Sequence, residues 1–160
     1  CSSDLSLRRG ECVLVGIAQA PFIMGLSDGV MKTDVQYKLI TESNCTGYHL
    51  PASQTINIIE QCQLWREAFC WLAWQNSMFE LRDLQLIGNN SYDQIRATLI
   101  SMMKWDDVLR SRIGVMNYIH QRTRISRSVV AEILAALRKG GYIEMNKGKL
   151  VSINRLPFEY

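Results

Sequence analysis

The residues of this 160-residue chain best suited to chemistry lie between Arg124 and Lys149. Arg124, Ser126, Arg127, Ser128, Val129 and Glu132 fall within one short stretch, and Lys147 and Lys149 follow it. An arginine offers a planar fork of donors that fits a guanine edge or a phosphate, and serine hydroxyls suit either. Lysines on a hairpin are suited to phosphates. Such a set reads a polyanion; it makes and breaks no bonds. Elsewhere His49 and His120 stand far apart, without an H-E-x-x-H pattern or a ligand cluster. No nucleophile elbow or phosphate-binding loop occurs either, so neither an enzyme nor a bound cofactor or metal is expected. Haem ligation by His49 has no supporting motif.

Those residues need a frame, and the sequence supplies one. Val130, Ile133, Leu134 and Leu137 recur at i, i+3, i+4 and i+7, which defines the buried side of a helix. Ser128, Ala131, Glu132 and Ala135 then point outward, with Arg127 and Val129 on the flanks. Ser126 is placed to cap this helix, and Gly140-Gly141 to stop it. Upstream, Val115 and Ile119 share a face of a helix ending near Arg122, and Thr123-Arg124-Ile125 turns the chain. Downstream, Tyr142–Met145 and Lys149–Ile153 alternate like strands around Asn146-Lys147-Gly148, a hairpin with Lys147 and Lys149 at its tip. Helix, tight turn, capped helix and basic hairpin form a winged helix-turn-helix, whose second helix enters a major groove of double-stranded DNA. Small outward residues such as Ala131 and Ala135 permit close approach. A winged helix used for protein contacts is the alternative.

The rest of the chain reads as strands followed by a long helix. Leu5–Leu7 and Cys12–Ile17 flank Arg8-Arg9-Gly10-Glu11, read as a hairpin turn. Phe22–Met24, Tyr37–Thr41 and Thr46–Leu50 fit further strands, with Ser27-Asp28-Gly29 as punctuation. So few strands cannot close a barrel or sandwich, so further strands are expected before Cys1. Ser53–Ile59 reads as a short helix capped by Ser53, and a long helix runs from about Gln63 to Ile87. Its Trp65, Leu72, Phe79 and Leu86 repeat every seven residues, while Trp71, Trp74, Met78 and Leu81 follow another line. A helix apolar on two faces touches two things, and the seven-residue line is the expected seam of a homodimer. Gly88-Asn89-Asn90 breaks the chain. A helix from Tyr92 to Met103, capped by Ser91, and a helical turn over Trp105–Arg110 follow.

Charge divides the chain at the same break. Residues 1–90 carry 6 Lys/Arg against 9 Asp/Glu, and residues 91–160 carry 12 against 6. A polyanion partner is therefore expected for the second part alone. No apolar run approaches the roughly 20 residues of a spanning helix. With no secretion signal the five cysteines, which include no C-x-x-C pair, read as reduced thiols of a cytoplasmic protein. Cys45 and Cys62 flank the short helix and Cys70 lies on the long one. Only Arg66 is near to lower a thiol pKa, so direct oxidation is not the expected switch.

Ser126-Arg127, followed by Val129-Val130 and Ile133-Leu134, resembles the CRP/FNR regulators, whose recognition helix begins with a Ser-Arg pair. The order of strands, long helix and winged helix matches, and "LRRGECVLVGIAQAPFIMGL" looks like that family's β-roll. A closer resemblance, through "QLWREAFCW", "LIGNNSYDQIRATL" and "RSRIGVMNYIHQRTR", is to enteric regulators of peroxide resistance, across essentially the whole chain. The resemblance implies a DNA-binding transcriptional regulator. Two departures matter. Where the nucleotide-binding members carry Gly-Glu-Leu this chain has Gly25-Leu26-Ser27, and Tyr37-Lys38-Leu39 supplies no arginine for a cyclic phosphate. Cyclic nucleotide is therefore not an expected ligand. Where the best-known member has an outward Glu and Arg, Ser128 and Glu132 stand here, so its DNA site does not carry over.

The expected fold is α+β: residues 1–62 form part of a cyclic-nucleotide-binding-like β-roll, 63–88 a long dimerisation helix, and 91–160 the winged helix-turn-helix. The alternative function is a protein-interaction regulator that pairs with another transcription factor through the aromatic helix.

Overall fold

The computed structural model describes residues 4–9, 13–31 and 37–158. The chain forms two compact units, Cys1–Arg82 and Asp83–Tyr160. The division falls inside the long helix.

In the first unit β1 (Asp4–Arg9) lies between β2 (Val13–Gln19) and β3 (Tyr37–Thr41), antiparallel to both. The hairpin and the Tyr37–Thr41 strand match the sequence pattern, although Arg8 and Arg9 belong to the strand, and Gly10, Glu11 and Cys12 lie outside the described residues. Other expectations fail. Residues 22–24 are not a strand: Phe22 packs edge-on against Trp71 at 5.1 Å, and the Ile23 carbonyl accepts from the Trp71 indole at 3.2 Å. Residues 46–50 are also irregular. Ser27-Asp28-Gly29 is not punctuation but the middle of α1 (Leu26–Met31). Gly25, at φ +80°, makes the turn instead. Gly29 serves packing, since a Cβ there would sit 3.1 Å from the Ala52 Cβ of α2 (Ala52–Gln61). That helix starts behind Pro51 with no side-chain cap, so Ser53 lies within its first turn.

The long helix, α3 (Trp65–Leu86), has no buried residue at all. Ala68, Trp71, Leu72, Gln75, Phe79, Arg82 and Leu86 are half-buried. Trp65, Phe69, Trp74, Met78 and Leu81 are exposed, Phe69 by 72 %. Of the expected seam, Leu72, Phe79 and Leu86 are each half-buried, and Trp65 is exposed. The thiols of Cys62 and Cys70 are free and exposed, and that of Cys45 is directed to the Ser43 carbonyl at 3.3 Å.

Gly88-Asn89-Asn90 closes one helix and opens the next. Gly88 takes φ +76°, and the Asn89 amide donates to the carbonyls of Leu84 and Gln85 at the end of α3. Asn90, not Ser91, caps α4 (Ser91–Met103), accepting the Asp93 N–H at 2.8 Å. Both residue types cap helices; the extended backbone of Asn90 puts it one step outside the helix, whereas Ser91 is already within it. Asp106 likewise caps α5 (Asp107–Arg112), displacing that turn from the expected Trp105–Arg110.

The core of the second unit is built by α4, α5, α6 (Val115–Thr123), α7 (Arg127–Lys139) and the hairpin β4 (Ile143–Asn146)–β5 (Lys149–Ile153). Ile95, Leu99, Met102, Leu109, Val115, Ile119, Val130 and Leu137 are fully enclosed in it. The tail is strapped to α4: Tyr92 and Arg96 both donate to the Pro157 carbonyl, and Arg96 lies over the Phe158 ring. Among the described residues, one charge enters the core. Arg122 is buried, donates to the Tyr118 hydroxyl at 3.5 Å, and leaves its Nε without a hydrogen-bond partner among the described residues.

Candidate nucleic-acid interface

Recognition by a helix requires one face locked in the core and the other free, and α7 meets both conditions. Val130, Ile133, Leu134 and Leu137 are buried, as their spacing predicts. Arg127, Ser128, Ala131, Glu132 and Ala135 are exposed, and Val129 is half-buried at their flank. Ser126 caps the helix by accepting the Val129 N–H at 3.4 Å, and its hydroxyl lies 3.0 Å from that of Ser128. At the other end Gly141, at φ +69°, makes the left-handed turn, while a Cβ on Gly140 would meet the Tyr142 ring at 2.4 Å.

The turn before α7 is fixed by side chains as well as backbone. Arg124 takes the left-handed conformation at φ +66° and is exposed. Thr123 Oγ1 donates to the Ile119 carbonyl at 2.8 Å and accepts the Ile125 N–H at 3.2 Å. His120 Nδ1 lies 2.7 Å from the Ile125 carbonyl. These bonds, with the Arg124 N–H donating to the His120 carbonyl at 2.9 Å, set the turn between α6 and α7.

The wing is a two-residue hairpin in which both turn residues, Lys147 at φ +46° and Gly148 at φ +76°, have positive φ, the signature of a type I′ turn. Lys147 is exposed at its tip. Lys149 is not at the tip: it is half-buried, and its ammonium donates to the Arg112 carbonyl at the end of α5. The Gly148 carbonyl also accepts the Val115 N–H at 3.0 Å, so the wing is tied to the start of α6. The alternation of the hairpin correctly located Lys149 in β5 but could not show which way its long side chain would turn.

Two exposed residues join this surface that the sequence did not single out, Arg112 and Asn117. Asn117 Oδ1 accepts from Arg127 Nη2 at 3.4 Å, across the turn and ten positions away. No periodicity marks such a pair; only the mutual placement of the two helices reveals it. Among the described residues, no group of His, Cys, Asp and Glu is arranged to hold a metal ion, and no helix is long and apolar enough to cross a membrane.

Residues 91–158 match the family model for winged helix-turn-helix DNA binding, and the second unit is a winged helix-turn-helix DNA-binding domain. Over 156 residues the chain is 78 % identical to the inhibitor of hydrogen peroxide resistance of Escherichia coli K12, covering 98 % of this chain and 75 % of that protein. The Salmonella typhimurium LT2 protein of the same name is 74 % identical over the same coverage. The chain belongs to this family of inhibitors of hydrogen peroxide resistance.

Proposed function

We propose that the chain is a sequence-specific, double-stranded DNA-binding transcriptional regulator and not an enzyme. The observation that carries this reading is the two-sided α7, whose apolar stripe is enclosed while Arg127, Ser128, Ala131 and Glu132 are exposed. In this reading α7 lies in the major groove, where Arg127 and Ser128 meet base edges and Glu132 accepts from a cytosine amino group. Arg124 and Lys147 engage flanking phosphates. Lys149 contributes indirectly by holding the wing. The relatives' name supports peroxide resistance as the process regulated, and in this reading the regulator acts in the cytoplasm.

A CRP/FNR-type arrangement belongs to the same proposal: the three-stranded sheet is part of a β-roll that takes no cyclic nucleotide, and α3 pairs two copies. The exposed line Trp74, Met78 and Leu81, more than the half-buried Leu72, Phe79 and Leu86, offers apolar surface for that pairing. The same exposed aromatics favour a second reading, in which α3 binds another transcription factor.

A mobility-shift assay of the full chain on fragmented genomic DNA separates the two readings. The first predicts a few fragments retained at a salt concentration that releases the bulk, with log affinity falling linearly against log salt. Retention of none, or of all fragments equally at every salt concentration, contradicts sequence-specific binding.

A further inference from the structure

We infer that Asn117 is a specificity-determining residue, which aims the Arg127 guanidinium before DNA arrives. The inference rests on the proposed reading of α7 and adds a residue from the other helix to it.

Arg127 is exposed at the first position of α7, so core packing does not fix its long side chain. A free arginine there samples many rotamers, and a base contact must order it at binding. The contact to Asn117 Oδ1 at 3.4 Å holds one Nη2 hydrogen and supplies the missing constraint. Asn117 is well placed to do so. It lies in the first turn of α6, whose start is bound to the wing through the Val115 N–H and the Gly148 carbonyl, and whose end is bound through Thr123 and His120 to Ile125, in the turn that leads into α7. The anchor is therefore set on backbone that both ends immobilise.

The chemistry remaining on Arg127 after this contact is the part that reads. A guanidinium carries five N–H donors in a planar fork, and one donated to Asn117 leaves two parallel donors for the O6 and N7 acceptors of guanine. The tether restricts the plane of that fork. A guanidinium held in one plane discriminates guanine, whereas a swinging one accepts other base edges as readily. Asn117 thus sharpens base choice at a single position and leaves backbone affinity unchanged. Being exposed, it can be replaced without opening a cavity.

The test starts from a randomised duplex pool selected with the full-length chain, giving one preferred duplex and one scrambled control. Fluorescence anisotropy then compares Asn117→Ala, Arg127→Ala and the double variant on both. The expected result is a roughly two- to tenfold weakening by Asn117→Ala on the preferred duplex, the scale of losing one pre-set side chain. The control duplex is unaffected, and Asn117→Ala adds nothing once Arg127 is gone. Repeating the selection with Asn117→Ala should relax the preference at one guanine. An equal loss on both duplexes marks Asn117 as a phosphate contact, and an equal loss in both Arg127 backgrounds marks it as independent; either overturns the inference, as does no loss at all. If the parent chain selects no preferred duplex, the reading of α7 itself fails, and the inference falls with it.

Discussion

Leu137→Ala is expected to remove about 2–5 kcal/mol from the stability of the winged unit, the range for truncating an enclosed leucine. Leu137 has no accessible surface and sits on the stripe that α7 turns inward. The loss combines the lost burial of its side-chain carbons with a cavity that the surrounding helices cannot fill completely. Against a total of about 5–15 kcal/mol for a typical domain, such a loss is large. Urea unfolding of the full chain, followed by hydrogen exchange at the β4 and β5 amides, measures it in the unit concerned. A change below about 1 kcal/mol would mean that α7 is not packed as described. Ala135→Ser, on the exposed face, is the control and should leave the β4 and β5 exchange near that of the parent.

The second large effect concerns binding. Arg127→Ala should weaken a specific site by about 1–3 kcal/mol, roughly five- to 150-fold, and relax preference at one base pair. Lys147→Ala should act differently, because an exposed ammonium at the tip of the wing meets phosphates that every sequence carries. It should weaken specific and random DNA alike and reduce the salt slope by about one unit. Lys149→Met provides the contrast: its ammonium is spent on the Arg112 carbonyl, so affinity should drop through a loosened wing while the salt slope persists. Variants of Arg127 and Lys147 that bind both classes of DNA like the parent would remove the basis for placing α7 and the wing on DNA.

The legibility of the sequence differed between the two units for physical reasons. In α7 a strong 3.6-residue stripe, a serine cap and a Gly-Gly stop agree, and the structure reproduces each of them. The hairpin was equally plain because Lys147-Gly148 between alternating residues permits few other turns. The break at Gly88-Asn89-Asn90 was visible, yet the choice of Asn90 over Ser91 as cap depends on backbone angles that composition does not encode. The first unit was harder to read. Gly29 looked like a turn residue because glycine serves both turns and close packing, and here it serves packing against Ala52. Residues 22–24 looked extended because apolar runs are ambiguous, and their fate was decided by Trp71, some fifty positions away. The long helix α3 was located correctly, but its two apolar lines could not be ranked, and both are mixed: Trp65 is exposed where Leu72, Phe79 and Leu86 are half-buried, and Trp71 is half-buried where Trp74, Met78 and Leu81 are exposed.

Site residues divided in the same way. Positions on a helix face follow from periodicity, so Ser128 and Glu132 were found outward as expected. Contacts between elements do not, and both the retreat of Lys149 onto α5 and the Asn117–Arg127 pair required the fold. Arg122 is the sharpest case. A charged residue at the end of a helix reads as solvated, yet it is buried beside Tyr118.

Site-directed photocrosslinking asks whether the open face of α7 meets DNA bases. A photoreactive side chain is placed at Ala131, in the middle of that face, and in a second variant at Ile100, an exposed position on α4. With both variants bound to the same DNA, crosslinks to bases within the site are expected from position 131 and none from position 100. Crosslinks from position 100 alone, with position 131 silent on bound DNA, would contradict that placement of α7.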